Sequence, residues 1–514
     1  MLVKTYSAAV NGLDVCTVTV EVSTKPGSLY HFTGLGDEAV KEGRDRVVAA
    51  ITNNGIDFPI CDITVNLAPA DVRKEGTGFD LPLAIALISV QGVIKKDLSG
   101  CMFVGELGLD GRVQSIKGAL PIAIRARKDH FKALFVPEEN AREAAVVNNL
   151  IVYGVKNLGQ VVRFINGEEN IEPTIVDTRK EFYEQQASFS LNYADVRGQE
   201  SVKRALEVAA AGGHNIIMIG PPGSGKSMMA KRLPGILPPL TLAESLETTQ
   251  IHSIAGKVPR GTSLISQRPF RSPHHSISEV ALVGGGTSPM PGEISLAHNG
   301  VLFCDELPEF AKHTLEMLRQ PLEDQQITIS RAKYTITYPC SFMFVASMNP
   351  CPCGYYGDPT HVCVCTPGQI QRYLNKVSGP LMDRIDIQCE ISPVPFKDIS
   401  RTAPGEPSAK IRERVIAARQ IQTERFKGVS GVHCNAQMSE SMIHQFAEPD
   451  DEGMEQLRMA MEVYSLSARA YTRILKVART IADLAGSETV KADHIAEAIS
   501  YRRLDRADWA EQGL

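Results

Sequence analysis

A chain of 514 residues has material for about three domains at roughly 150 residues each. Hydrophobic residues make up 43% and charged residues 22%, the balance of a globular protein with true cores, which excludes a disordered or fibrous chain. The formal net charge of −5 excludes a basic coat for nucleic acid, so any such contact is a local patch or a ring made by assembly. No run is long enough to span a bilayer, and Met1 to Tyr6 lack the apolar core of a signal peptide, so a cytoplasmic location without a membrane partner is expected. There the 11 cysteines should be reduced, and clustered ones point to metal rather than disulfide.

Residues 1–167 read as a compact α+β domain. Cys16, Val18, Val20 and Val22 alternate with polar residues, as do Ile63, Val65 and Leu67, which predicts half-buried strands. Asn11-Gly12 and Asp110-Gly111 are hairpin turns. Ala39 to Ile51 has helical spacing, Leu81 to Val90 is an apolar helix, and Ala133 to Val136 is a strand stopped at Pro137. The stretches Gly105-Glu106-Leu107-Gly108-Leu109-Asp110-Gly111-Arg112-Val113 and Phe135-Val136-Pro137-Glu138-Glu139-Asn140 resemble the proteolytic domain of Lon. That family uses a serine activated by a lysine. Here Gly78 falls at the expected serine and Leu120 at the expected lysine, so the resemblance implies the fold without the proteolysis. A shift in that alignment would promote Thr77 or Lys117 instead. Residues 168–190 are polar and read as a linker or an exposed helix.

Residues 191–400 carry the strongest motif. Gly220-Pro221-Pro222-Gly223-Ser224-Gly225-Lys226-Ser227 fits the P-loop pattern, between an apolar strand (216–219) and a helix that ends before Pro234. Its glycines let backbone N–H groups wrap phosphate, Lys226 reaches the β- and γ-phosphates of ATP, and Ser227 holds Mg²⁺. Val301-Leu302-Phe303-Cys304 is an apolar strand that ends in Asp305 and Glu306. Asp305 is expected to orient Mg²⁺ and Glu306 to polarise the attacking water as general base. Ser341 to Met348 is a further strand with Asn349 at its tip. This arrangement resembles an α/β ATPase of the AAA+ class. The resemblance implies sensor 1 at Asn349, an arginine finger at Arg384 in Gly379-Pro380-Leu381-Met382-Asp383-Arg384-Ile385-Asp386, and adenine packing near Gln199. Residues 401–514 hold helical spacing and read as its lid, with sensor 2 at Arg469 and Arg473 as the weaker choice.

Gln326 to Arg331 and Tyr334 to Tyr338 alternate by two around Ala332-Lys333, a hairpin ahead of the sensor-1 strand. Such hairpins mark the clade of MCM helicases, RuvB and the magnesium-chelatase ATPase subunit. Arg268 to His275, followed by Val283 to Gly286, reads as a second insertion. Arg271, His274, His275, Arg331 and Lys333 are the candidate contacts to a nucleic-acid backbone, against the plainer reading of solvated charge. Cys351-x-Cys353 and Cys363-x-Cys365, nine residues apart, suit a closed structural Zn²⁺ site, although C-x-C is the tighter and less specific spacing; His361 is an alternative ligand.

A Lon-like domain ahead of a chelatase-like ATPase, with Asn349-Pro350-Cys351-Pro352-Cys353-Gly354 and Asp305-Glu306-Leu307-Pro308-Glu309-Phe310, closely resembles the YifB/ComM family. The resemblance implies a hexameric motor for branch migration that acts on single-stranded and branched DNA during natural transformation and recombination. A metal-insertion ATPase and a nucleotide-dependent assembly switch are the alternatives.

Overall fold

The computed structural model describes residues 1–502 apart from 35, 73, 75, 187–188, 287–288, 332–333, 359–360, 394–404 and 430. Lys333 therefore lies outside the described residues, as does the boundary expected at residue 400.

The first sheet has seven strands, ordered Tyr30–Thr33, Asp62–Ala68, Asp14–Lys25, Leu2–Asn11, Cys101–Phe103, Ala133–Pro137 and Ile151–Val155. Alternation decides which face of each strand is buried: Val18, Val20 and Val22 point to the core, as do Ile63, Val65 and Leu67. Helix Asp80–Val90 is apolar all round and sits buried against this sheet. Asn11-Gly12 forms the hairpin turn between the first two strands, with Asn11 opposite Asp14. The hairpin predicted at Asp110-Gly111 is there but short, pairing only Glu106–Leu107 with Val113–Gln114.

The second sheet is wholly parallel, ordered Phe270–Arg271, Val301–Cys304, Met343–Met348, Ile216–Ile219 and Ile387–Glu390. Its strands are buried on both faces, hence the unbroken apolar runs. One face packs on helices of the chain's C-terminal part, among them Ser408–Arg425, Asp451–Val463, Ala468–Leu484 and Ala492–Ser500. The other face packs on Ile327 and Ile329 of the pre-sensor hairpin, whose strands Gln326–Arg331 and Tyr334–Pro339 are antiparallel.

Two long-range attachments are hidden from sequence, although an exposed helix is one of the readings of residues 168–190. The polar stretch after residue 167 contains helix Thr178–Gln185, which is a strap rather than a loose connection: Phe182 is buried, and Glu181 receives Arg142 at 2.7 Å and Ser263 at 2.8 Å. The first hairpin also meets the second unit. Gly12 has φ +61, and a Cβ there would lie 2.4 Å from Ile336 Cγ2 in the pre-sensor hairpin. Leu13 joins the same apolar cluster.

The loop ahead of Ile387–Glu390 is fixed by charge. Burial alone would push the Asp386 carboxyl up, but Arg473 and His214 hold it well below the usual carboxylate range. It also accepts the Asn215 N–H at 2.9 Å. Asp386→Ala would strand the Arg473 guanidinium without its counter-charge, beside a fully buried His214. It is expected to cost about 3–5 kcal/mol, read as a lower urea midpoint for the unfolding transition of this unit.

Candidate nucleotide site and metal centre

The P-loop lies at the C-terminal edge of the parallel sheet, between Ile216–Ile219 and helix Lys226–Arg232. Gly223 and Gly225 have φ +76 and +92, and no other atom lies within 4 Å of where their Cβ would be, so the backbone can curl around phosphate. Gly220 has a different need: a Cβ there would sit 2.2 Å from the Ile391 carbonyl oxygen. Lys226 donates to the carbonyls of Gly220 at 2.7 Å and Pro221 at 2.8 Å, and to Asn349 Oδ1 at 3.2 Å. Burial lowers its pKa, against the pull of Asp305 and Glu306. Its ammonium thus lies folded onto the loop that phosphate would occupy.

Ser227 Oγ donates to Asp305 Oδ2 at 2.6 Å, which sets two hard oxygen ligands side by side. Ser347 on the sensor-1 strand donates to the other Asp305 oxygen and accepts the Glu306 N–H at 3.3 Å. Glu306 has φ +54, a left-handed conformation that few non-glycine residues adopt, and this turns its half-exposed carboxylate out of the strand. His275 Nδ1 lies 4.0 Å from Glu306 Oε2, and its ring sits tilted against that of His274 with centroids 4.0 Å apart. Gln199 donates to the Ser392 carbonyl at 2.6 Å, at the same edge of the sheet. Lys226, Ser227, Asp305, Glu306 and Asn349 are therefore brought together. These residues fit Mg²⁺ and a nucleotide phosphate, with Ser227 and Asp305 as the metal's protein ligands. Bound Mg²⁺ would supply neutralising charge to the phosphate oxygens.

Arg384 and Arg469 are not part of this cluster. Arg384 precedes strand Ile387–Glu390, whose Ile387 pairs with Ile216, the start of the P-loop strand. It thus lies at the N-terminal edge of the sheet, opposite the P-loop. It is 8% exposed, ion-paired with Glu323, and donates to the Pro380 carbonyl at 2.5 Å. Arg469 is at the same edge, 2.9 Å from Asp383, and Arg473 one turn on pairs with Asp386. Arg271 is likewise not on a free insertion. Phe270–Arg271 is the edge strand of the sheet, and the guanidinium grips both Glu293 oxygens at 2.6 Å.

The paired cysteines converge. Cys351 Sγ lies 3.3 Å from Cys353 and 3.7 Å from Cys363, Cys353 lies 3.6 Å from Cys363, and all four Sγ including Cys365 fall within 4.8 Å of one another. A tetrahedron with metal–sulfur bonds of about 2.3 Å has edges of about 3.8 Å. The donor set and its spacing fit zinc. Cys304, Cys340 and Cys389 are core thiols whose pKa burial pushes up to about 12.

In the first unit, Gly78 and Thr77 line a cleft of about 390 Å³ with Glu106 and Lys117. Thr77 donates its hydroxyl to Glu106, exposed Lys117 lays its stem over Gly256, and Leu120 is fully buried. Pro289, Met290 and Ile336 of the second unit close the cleft, a composite wall that no local motif announces.

Three family models match the chain: "Subunit ChlI of Mg-chelatase" over residues 18–140, "Magnesium chelatase, subunit ChlI" over 192–399, and "Magnesium chelatase, subunit ChlI C-terminal" over 405–502. Competence protein ComM of Haemophilus influenzae is 43% identical over 506 residues, covering 98% of this chain and 97% of ComM. YifB of Escherichia coli is 43% identical over 508 residues, with the same coverage of 98% and 97%. Lon protease of Brucella suis is 29% identical over 161 residues, which is 28% of this chain and 20% of Lon. Full-length identity at this level, joined to an assembled P-loop, Asp-Glu and Asn site, makes the chain a member of the YifB/ComM family of magnesium-chelatase-type AAA+ ATPases.

Proposed function

We propose that the chain is an ATP-driven ring motor on DNA, a branch-migration helicase that helps incoming single strands enter a homologous duplex. The observation that carries this is the match to a competence protein along nearly the whole chain. In this reading residues 1–167 form the Lon-like domain, 191–400 the motor and 401–514 the lid, and six copies close into a cytoplasmic ring. Among the described residues no helix is long and apolar enough to cross a membrane. Lys226, Ser227 and Asp305 hold the nucleotide phosphates and Mg²⁺, and Gln199 flanks the base. Glu306 polarises water, Asn349 orients it, and Arg384 and Arg469 reach a neighbour's nucleotide. The cysteine cluster holds zinc.

His274, His275, Arg331 and Lys333 form the strand contacts, with Arg271 contributing less because Glu293 neutralises it. The pre-sensor hairpin suits this role. Its Ile327 and Ile329 are anchored in the core, while Thr328 and Thr337 lie opposite on the exposed face.

The names of the matched models favour a second reading, a metal-insertion ATPase. ATPase assays with and without single-stranded and forked DNA separate the two. DNA is expected to raise turnover several-fold, and its affinity is expected to fall steeply with salt as neutralised phosphates release counterions. Combined Arg331→Ala and Lys333→Ala is expected to weaken binding and leave basal hydrolysis intact. Turnover indifferent to both DNAs overturns the DNA motor.

A further inference from the structure

The cysteine segment is built onto the nucleotide site. It leaves the tip of strand Met343–Met348 through Asn349, the residue that accepts from Lys226. Two residues later comes Cys351, fully buried. The chain then turns at Gly354, with φ +87, and there it meets the P-loop. A Cβ on Gly354 would lie 2.5 Å from Pro222 Cδ and 2.8 Å from Pro222 Cγ. After Cys365 the chain enters helix Pro367–Leu374, capped by Thr366. Tyr373 on that helix lies by the backbone of Asn349, so the excursion ends beside the residue where it began.

Between Asn349 and Thr366 there is neither strand nor helix among the described residues. Local contacts run within this segment: the Gly354 N–H on the Cys351 carbonyl at 3.0 Å, the Asp358 N–H on the Tyr355 carbonyl at 3.1 Å, the His361 N–H on Asp358 Oδ1 at 3.0 Å, and Tyr355 stacked on His361 at 4.8 Å. The four thiols draw residues 351–353 and 363–365 together. A metal held by them would fix where Gly354 sits, and Gly354 touches the loop that must wrap phosphate.

We propose that metal occupancy of the Cys351, Cys353, Cys363 and Cys365 site sets the affinity of the P-loop for nucleotide. A tetrathiolate-bound divalent ion of the zinc class seats Gly354 against Pro222 and holds Asn349 toward Lys226. Loss of the ion frees both. By linkage, nucleotide must then tighten the metal site by the same factor. This rests on the zinc reading of the cluster, and the two can fail separately.

The test uses the full-length chain under reducing conditions, as purified and after removal of metal by a chelator that is then exchanged away. Elemental analysis is expected to give one zinc per chain before stripping. The dissociation constant for a fluorescent non-hydrolysable ATP analogue with Mg²⁺ is expected to rise about 10-fold on stripping, within the ordinary range of site-to-site coupling. It should return when Zn²⁺ alone is added back. Gly354→Ala is expected to keep its zinc and show a similar loss, because it acts at the contact and not at the ligands. Protein that binds no zinc, natively or on addition, overturns the metal reading itself. Zinc that binds while the stripped and loaded proteins hold the analogue equally overturns the coupling. Unchanged analogue affinity in zinc-loaded Gly354→Ala overturns the route through Pro222. If stripping unfolds the protein, the converse measurement decides. Zinc affinity by chelator competition must rise with the ATP analogue present, and equal values sink the proposal.

Discussion

Glu306→Gln is expected to bind ATP as the parent does and to hydrolyse it about 10²- to 10⁴-fold more slowly, the usual range for loss of a general base. Binding is retained because the change leaves Lys226, Ser227 and Asp305 in place. Turnover is lost because an amide of the same shape cannot take up a proton. The left-handed backbone at Glu306 matters here: φ is +54, so its carboxylate leaves the strand while its neighbour Asp305 stays bonded to Ser227 and Ser347. Equilibrium nucleotide binding and single-turnover hydrolysis measure the two effects separately. A Glu306→Gln protein with parental turnover would move the base elsewhere, and His275, 4.0 Å away, is the first place to look.

Arg384→Ala is expected to reduce hydrolysis by about 10³- to 10⁵-fold if its guanidinium completes a neighbour's site. The case is geometric. The parallel register places Arg384 at the edge of the sheet opposite the P-loop. Four strand residues at roughly 3.3 Å each put it more than 10 Å or so from its own phosphate site. Only another copy can bring the two together. In the single chain the arginine is parked against Glu323, and its Nε is buried without a partner among the described residues. Three observations test this. Specific activity should rise with protein concentration. Arg384→Ala should still bind nucleotide. Mixing Arg384→Ala with Lys226→Ala should restore part of the activity, since one subunit then donates the arginine and the other binds ATP. Mixtures that demonstrably exchange subunits and recover nothing would return Arg384 to a role within its own chain, holding Glu323.

The legible parts of this molecule were the local ones. The P-loop, the Asp305-Glu306 strand end and Asn349 are each written in a few consecutive residues, because a buried parallel strand is an apolar run and its tip is where the polar residue must fall. The cysteine pairs could be read for the same reason. What escaped depends on register and long-range contact. Arg271 looked like loop charge, but it pairs along Leu302 and bonds to Glu293. The edge occupied by Arg384 and Arg469 follows only from knowing that Ile387 runs beside Ile216. The seating of Gly354 on Pro222 joins positions far apart in sequence and leaves no periodicity behind. The strap at Thr178–Gln185 is mostly polar on its surface, with Phe182 its single buried anchor.

The meeting of Gly12 and Ile336 limits how the two halves of such proteins can be recombined. The first hairpin turn fits its partner only because position 12 has no side chain, and any larger residue there must displace the branched Ile336 as well as hold a positive φ. An N-terminal half grafted from a relative onto the second unit of this chain brings its own turn residue but meets this chain's Ile336. Positions 12 and 336 therefore have to be transplanted as a matched pair. A chimera built at the boundary near residue 168 without regard to them would carry a seam defect in the pre-sensor hairpin, far from the splice point.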